Sequence, residues 1–266
     1  MAKIHKVRLF VNNNLKSRQA EKIVREEVLK EGIQITEEED FDLGIAIGGD
    51  GSFLRMVNET NFKSNCLYVG INAGTLGFAQ DISIEEIPDF IKHIGRENYN
   101  FEEIGIEEIF IETKEKLEHF YALNEMVVRD EELNTTHIDV LIDHVLLENY
   151  VGDGLLVSTS FGSTAYNLSF GGSMVYNEFS TLQITPIAPM NNKSYHTLTN
   201  SLIIPSTKII SLIPSKKNNN LLITTDGNNT FYSEVEKIEI RMNQTIKIIR
   251  KKDYNYIRKI NDKFIK

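Results

Sequence analysis

Residues 43–57 restrict the possible folds more than any other stretch. Leu43-Gly44-Ile45-Ala46-Ile47 is an apolar run in which nearly every side chain can be buried, as in a strand covered on both faces. It ends in Gly48-Gly49-Asp50-Gly51, and apolar residues resume at Phe53, Leu54 and Val57 with helical spacing. The pattern predicts a strand, a tight turn and a helix. Glycine permits positive φ and close approach of a ligand to the backbone. A helix start offers unpaired N–H groups and partial positive charge, which suit a phosphate. Gly48, Gly49 and Gly51 are thus candidate phosphate contacts, as is Arg55 one turn beyond Asp50, although a solvated helix arginine is the simpler reading of Arg55. Asp50 would repel a phosphate unless it takes a proton or shares a metal. The plain alternative is that Asp50 only caps Phe53 or Leu54.

The surrounding pattern is regular. Val7–Val11 reads as a strand, and apolar residues from Ala20 to Leu29 recur at helical spacing behind Ser17, an expected N-cap. The helix after the glycine turn runs to about Asn61. Cys66–Ile71 is a second all-apolar strand, leading into the glycine loop Asn72-Ala73-Gly74-Thr75-Leu76-Gly77-Phe78, and Glu85–Ile94 reads as a helix. Alternating strands and helices imply right-handed crossovers and a parallel sheet, with ligands outside the carboxyl ends of the strands. Both glycine loops fall there. After Phe101 the chain becomes strand-rich with short connections: 104–113, 119–128, 137–142, 145–150, 154–159, 182–187, 202–204, 208–213, 221–225, 235–241 and 245–250. The expectation is an α/β domain over 1–101, a β-rich domain of two packed sheets over 102–250, and a helix within 251–266 that packs back on the first domain. Lys216-Lys217-Asn218-Asn219-Asn220 reads as hairpin punctuation.

Composition narrows the function. A net charge of −9 argues against general nucleic-acid or anionic-membrane binding, which draw affinity from a basic face. Hydrophobic content of 41% and charged content of 25% fit a soluble globular protein, and no apolar stretch approaches bilayer length. Cys66 is the single cysteine, so no intramolecular disulfide or cysteine-based zinc site is expected. Residues 1–5 lead straight into a strand-like run rather than a signal peptide, and the expected location is cytoplasmic.

The densest chemistry lies in Gly152-Asp153-Gly154, a short strand, and then Ser160-Phe161-Gly162-Ser163-Thr164-Ala165-Tyr166-Asn167-Leu168-Ser169, which opens a helix at Ser163 or Thr164. Small residues admit a flat ligand, hydroxyls read polar edges, and Tyr166 offers a stacking face. Taken singly, Tyr166 reads as core and the Ser/Thr run as a cap. Together with Gly-Gly-Asp-Gly they read as a site. His137, His144 and His196 have no assigned role.

These two motifs, in this order, resemble the NAD kinase family. The resemblance extends through Asn124-Glu125, the loop 74–78, Pro186-Ile187-Ala188-Pro189 and Asp226-Gly227-Asn228, and so covers most of the chain. It implies phosphoryl transfer from ATP, or another phosphoryl donor, to the 2′-hydroxyl of the adenosine ribose of NAD, giving NADP. It further implies Asp50 as general base, with a divalent metal, Mg²⁺ by preference, and backbone amides stabilising the transferred group. No metal ligand is assigned. Matching positions place Asp50, Gly51, Asn124, Glu125, Asp153, Thr164, Ala165, Tyr166, Asn167, Leu168, Ser169, Ala188 and Asn228 on NAD. The resemblance also implies a homo-oligomer, a tetramer or dimer. Two departures stand out: Val151 where many members carry arginine, and Ser160-Phe161 where proline and a small hydroxyl residue are common.

A lipid kinase sharing Gly-Gly-Asp-Gly and a catalytically silent dinucleotide sensor are the competing readings. The Thr164-Ala165-Tyr166-Asn167 block opposes the first, and Asp50, Asn124-Glu125 and Asp153 oppose the second. No G-x-G-x-x-G follows the first strand and no G-x-x-x-x-G-K-S/T occurs, which disfavours a Rossmann dehydrogenase and a P-loop kinase.

Overall fold

A run of six residues buried on both faces, Leu43–Gly48, forms the centre of a parallel sheet. The computed structural model describes residues 3–74, 77–132, 134–216 and 219–266. Thr75 and Leu76 of the second glycine loop, and Lys217 and Asn218 of the asparagine-rich turn, lie outside the described residues. The chain divides into two compact units, one of residues 1–104 with 245–266 and the other of residues 105–244.

In the first unit β1 (Lys6–Val11), β2 (Gln34–Ile35), β3 (Leu43–Gly48) and β4 (Leu67–Asn72) are parallel, in the order β4-β3-β1-β2. A short β5 (Ile82–Ser83) pairs in parallel with the end of β4. Helices α1 (Leu15–Lys30) and α3 (Ile87–Gly95) cover one face, where Val24, Val28, Ile87, Ile91 and Ile94 meet Leu43, Ile45, Ile47 and Ile71. Helix α2 (Asp50–Glu59) follows β3 directly and buries Phe53, Met56 and Val57. Gly44 lets it approach, since a Cβ there would stand 3.1 Å from Met56 Sδ and 3.2 Å from Tyr68. Helix α1 begins earlier than expected. Asn14 is its N-cap, accepting from the Ser17 amide at 2.9 Å, while Ser17 lies inside and buried. Asparagine and serine compete closely for this position, and the Asn12-Asn13-Asn14 turn presents the better-placed oxygen.

The second unit is built on strands: β6 (Asn100–Thr113), β7 (Leu117–Ala122), β8 (Glu125–Asp130), β9 (Thr136–Ile142), β10 (Val145–Gly152), β11 (Gly154–Thr159), β12 (Thr181–Ile187), β13 (Leu202–Pro205), β14 (Ile210–Pro214), β15 (Leu221–Thr225), β16 (Asn228–Tyr232) and β17 (Val235–Arg250). One antiparallel sheet runs β13-β12-β11-β8-β15-β16. A second runs β10-β9-β14-β17, with β6 beside β17 and β7 beside β6. Met126, Val128, Leu155 and Val157 from the first meet Val140, Ile210, Leu212, Ile238 and Ile240 from the second in one core. The unit boundary falls inside β6 and β17, and the last residues of β17 pair in parallel with β4.

Three further expectations need correction. Residues 119–128 are two strands broken at Leu123-Asn124, because both amides there turn to the Asp226 carboxylate instead of a neighbouring strand. Residues 235–241 and 245–250 are one continuous strand, β17, since Asn243 and Gln244 bond to Glu108 and Tyr121 instead of forming a turn. The helix expected at Ser163 or Thr164 is a 3-10 turn at Phe161–Thr164 and a single turn, α4, at Tyr166–Ser169. The C-terminal helix α5 is Tyr256–Phe264, within the first unit, where Phe264 and Tyr256 pack on Phe78. Among the described residues, no helix is long and apolar enough to cross a membrane.

Candidate functional site

Asp50 is the first residue of α2, behind Gly49, which caps the helix without a side chain. Its carboxylate turns away from its own helix. Oδ2 accepts from the Phe78 amide at 3.1 Å and Oδ1 from the Ala79 amide at 3.0 Å. Lys263 of α5 adds an ammonium 3.2 Å from Oδ2. Asp50 therefore caps neither Phe53 nor Leu54. It ties the turn after β3 to the loop after β4, and a Cβ at Gly77 would overlap the carboxylate. Gly49 and Gly51 have open space where a side chain would be, leaving the helix start accessible. Arg55 donates to Val11 O at 3.3 Å and lies 3.7 Å from Glu59, the ordinary placement of a surface helix arginine.

In the second unit the break at Leu123-Asn124 is built by a distant hairpin. β15 and β16 join through Asp226-Gly227, whose φ values of +48° and +84° are those a two-residue type I′ turn requires. The Asp226 carboxylate accepts from the Leu123 and Asn124 amides, each at 2.8 Å. Thr159 closes the other side. Its hydroxyl donates to Leu123 O at 2.6 Å and accepts from the Gly162 amide at 3.0 Å, and its own amide donates to Asn124 O at 3.0 Å. A Cβ at Gly162 would overlap the Asn124 backbone.

Glu125 opens β8 and is buried. Burial, then the charge of Asp226, pushes its carboxyl up to about 8. Behind it on β6 sits Glu107, fully buried, with neither carboxyl oxygen hydrogen-bonded among the described residues. Burial above all, then the charges of Asp226 and Glu125, holds Glu107 well above the usual carboxylate range. Reading the residues in sequence overlooked Glu107. The strand alternation that puts it on one face with Ile109 and Ile111 was the available signal.

The raised Glu107 carboxyl has a consequence for stability. The unfolded group titrates near 4.3, so its stabilising contribution is complete below about pH 4 and is lost as pH rises toward the folded value. Glu107→Gln should therefore gain stability over the parent increasingly as pH rises above about 5. Urea unfolding across that range checks this, and parallel stability–pH curves would reject it.

The loop after β11 folds back over its own sheet. Asn167 is buried, its Nδ2 donating to Ser163 O at 3.1 Å and its Oδ1 accepting from Thr185 Oγ1 at 2.6 Å. Phe170 packs on Val127, Leu156 and Ile187. Tyr166, 42% exposed, accepts at its hydroxyl from Arg129 at 3.4 Å, and the Arg129 stem covers Gly154. Tyr166 is thereby brought to the end of β11 that carries Asp153. Asp153 is exposed, its amide donating to Ile187 O at 3.0 Å. The buried Tyr150 hydroxyl donates to Ile187 O at 2.7 Å and accepts from the Gly154 amide at 3.2 Å, fixing this turn. Ala188, beside it, is exposed with φ +44°, a left-handed conformation rare outside glycine. Thr164 is buried, Ala165 and Leu168 are half-buried, and Ser169 and Asn228 are exposed. Ser160 is engaged internally, its hydroxyl donating to Phe179 O and accepting from the Thr181 amide at 3.0 Å. Val151 is buried. Arg129 was the other residue missed; a lone arginine on a strand gives no signal by itself.

The chain is similar to known proteins in sequence and in fold. Residues 6–99 match the ATP-NAD kinase N-terminal domain and residues 123–252 the ATP-NAD kinase C-terminal domain. The NAD kinase of Finegoldia magna is 38% identical, with 97% of each chain covered. NAD kinase 2 of Halalkalibacterium halodurans is 32% identical over 83% of each. Among solved structures, yeast NADH kinase complexed with NADH shares the fold at a TM-score of 0.85 and 20% identity, covering 98% of this chain and 87% of that one. The NAD kinase from Archaeoglobus fulgidus in complex with ATP does so at 0.75 and 20%, covering 97% and 98%. With both domain families matched in order and a relative this similar along nearly its whole length, the chain belongs to the NAD kinase family.

Proposed function

We propose that this chain transfers the terminal phosphoryl group of ATP to the 2′-hydroxyl of the adenosine ribose of NAD, with Asp50 as the general base. Family membership carries NAD kinase activity, a phosphotransfer. The observation that carries the finer reading is the Asp50 carboxylate, oriented by the Phe78 and Ala79 amides at an open helix start. A secondary hydroxyl is a weak nucleophile at neutral pH, and a positioned carboxylate removes its proton as the oxygen attacks. The 2′-oxygen bonds to the γ-phosphorus, the bond from that phosphorus to the β,γ-bridging oxygen breaks, ADP departs with the electron pair, and the proton passes to Asp50. Amides at the start of α2 face the charge on the transferred group.

Asn124 and Glu125 hold the adenosine end of NAD in this reading. With its carboxyl raised to about 8, Glu125 is mostly protonated at neutral pH, offering a sugar hydroxyl one O–H donor beside an acceptor oxygen. Asp153, Thr164, Ala165, Tyr166, Leu168, Ser169, Ala188 and Asn228 complete the NAD contacts. Asn167 contributes by fixing α4, because its side-chain amide is already paired with Ser163 and Thr185. Among the described residues no group of three or more His, Cys, Asp or Glu side chains is placed to hold a metal. Mg²⁺ in this reading would come with ATP, held on its phosphate oxygens. When bound, it supplies neutralisation of phosphate charge.

Two NAD analogues test the reading. NAD lacking the adenosine 2′-hydroxyl should bind and accept no phosphate, while NAD lacking the nicotinamide-ribose 2′-hydroxyl should still be phosphorylated. Transfer of radiolabelled phosphate to the first analogue at the normal rate would overturn the assignment. A lipid kinase would ignore both and label diacylglycerol, and a silent sensor would label nothing.

A further inference from the structure

Helix α5 carries two lysines one turn apart that serve one loop. Asn255 caps the helix, accepting from the Arg258 amide at 2.9 Å. Lys259 is 7% exposed, and its ammonium donates to Phe78 O at 3.1 Å, to Gln80 O at 3.2 Å and to the Asp81 carboxylate. Arg250 joins it, donating to Phe78 O at 3.2 Å and Asp81 Oδ2 at 2.9 Å while pairing with Glu102 at 2.7 Å. The carbonyl side of loop 77–81 is thus fixed from β17 and α5, and the Phe78 and Ala79 amides are left facing Asp50. Lys263 lies four residues beyond Lys259, on the same helix face. Its Nζ stands 3.2 Å from Asp50 Oδ2 and 4.8 Å from the centre of the Phe78 ring.

The donors are unevenly shared between the two carboxylate oxygens. Each oxygen of an ionised carboxylate has about two lone-pair sites. Among the described residues, Oδ2 receives both the Phe78 amide and the Lys263 ammonium, while Oδ1 receives the Ala79 amide alone. Toward the described residues, one acceptor site therefore stays open, on Oδ1. We propose that Lys263 is a positioning residue for phosphoryl transfer: it occupies Asp50 Oδ2, fixes the plane of the carboxylate, and leaves Oδ1 to receive the hydroxyl proton. The proposal rests on Asp50 as the base. Without Lys263, Oδ2 regains a free site and the carboxylate is held by two amides on one edge, so it presents the wrong oxygen, or a tilted one, part of the time. Small misplacements of a reacting group lower the rate strongly while leaving binding little changed.

The test uses the full chain with Lys263→Met and Lys263→Arg, each alone and in the Asp50→Asn background, with transfer followed by radiolabelled ATP. Lys263 is partly exposed, so both variants should fold, and thermal melting checks that they do. Lys263→Met is expected to lower kcat about tenfold with KM for NAD within about twofold, and Lys263→Arg to restore most of the loss. In the Asp50→Asn background Lys263→Met should change nothing further, because the lysine acts through the carboxylate. Unchanged kcat in Lys263→Met would overturn the proposal. An equal loss in both backgrounds would also overturn it, marking Lys263 as a direct substrate contact. Normal turnover by Asp50→Asn alone would instead remove the underlying reading of Asp50 as the base.

Discussion

Asp50→Asn is expected to lower kcat by about 10²–10⁴-fold while leaving the affinity for NAD close to that of the parent. A base acts in the transition state, so its loss falls on kcat. The amide keeps the shape of the side chain and one acceptor oxygen, so the loop at Phe78 and Ala79 loses one hydrogen bond and keeps the other. Steady-state kinetics with a separate calorimetric titration of NAD resolves the two effects. Near-normal turnover would leave Asp50 as a structural tie between the turn after β3 and the loop after β4.

Gly162→Ala is expected to damage the second unit in two ways. The added methyl meets the Asn124 backbone rather than a flexible side chain, and backbone cannot swing aside. Overpacking of this kind costs about 1–3 kcal/mol of stability. The same displacement moves Asn124 and Glu125, which the Asp226 carboxylate and Thr159 hydroxyl hold in register. A shift of about 1 Å at a substrate-positioning segment can lower kcat/KM by about a hundredfold. Urea unfolding and an NAD titration measure both, and a variant matching the parent in each would show that the break at Leu123-Asn124 has room to yield.

The sequence makes local features legible and distant partners opaque. The strand–turn–helix at Leu43–Glu59 is readable because burial on both faces demands an apolar run and the turn demands glycine. The order of an α/β region followed by a β-rich one is readable for the same reason, since the period of the apolar residues changes near Phe101. The strand break at Leu123-Asn124 is not, because its cause is Asp226, roughly a hundred residues away. Asn228–Tyr232 was missed as a strand: four of its five residues are exposed, so no alternation marks it, although Asp226-Gly227 is a hairpin signal. At the candidate site, residue types pick out Asp50, whereas Asn124-Glu125 stands out only through the family resemblance. Nothing local to Lys263 distinguishes it from the other lysines of the tail, and its significance lies wholly in what it meets.

The pairing of Asp50 with Lys263 spans 213 residues, and this has a consequence for how the chain is made. On the ribosome Asp50 emerges early, within β1–β4 and α2, while Arg250, Lys259 and Lys263 follow only after the whole second unit has been synthesised. At about 5–20 residues per second, the growing chain carries its carboxylate for some tens of seconds before the cations that frame it exist. Closing so long a loop costs only slightly more entropy than closing one of half the length, because the cost grows with the logarithm of separation. The wait is therefore set by translation rather than by folding thermodynamics, and a nascent chain halted within the second unit would hold Asp50 without the ordered loop that aims it.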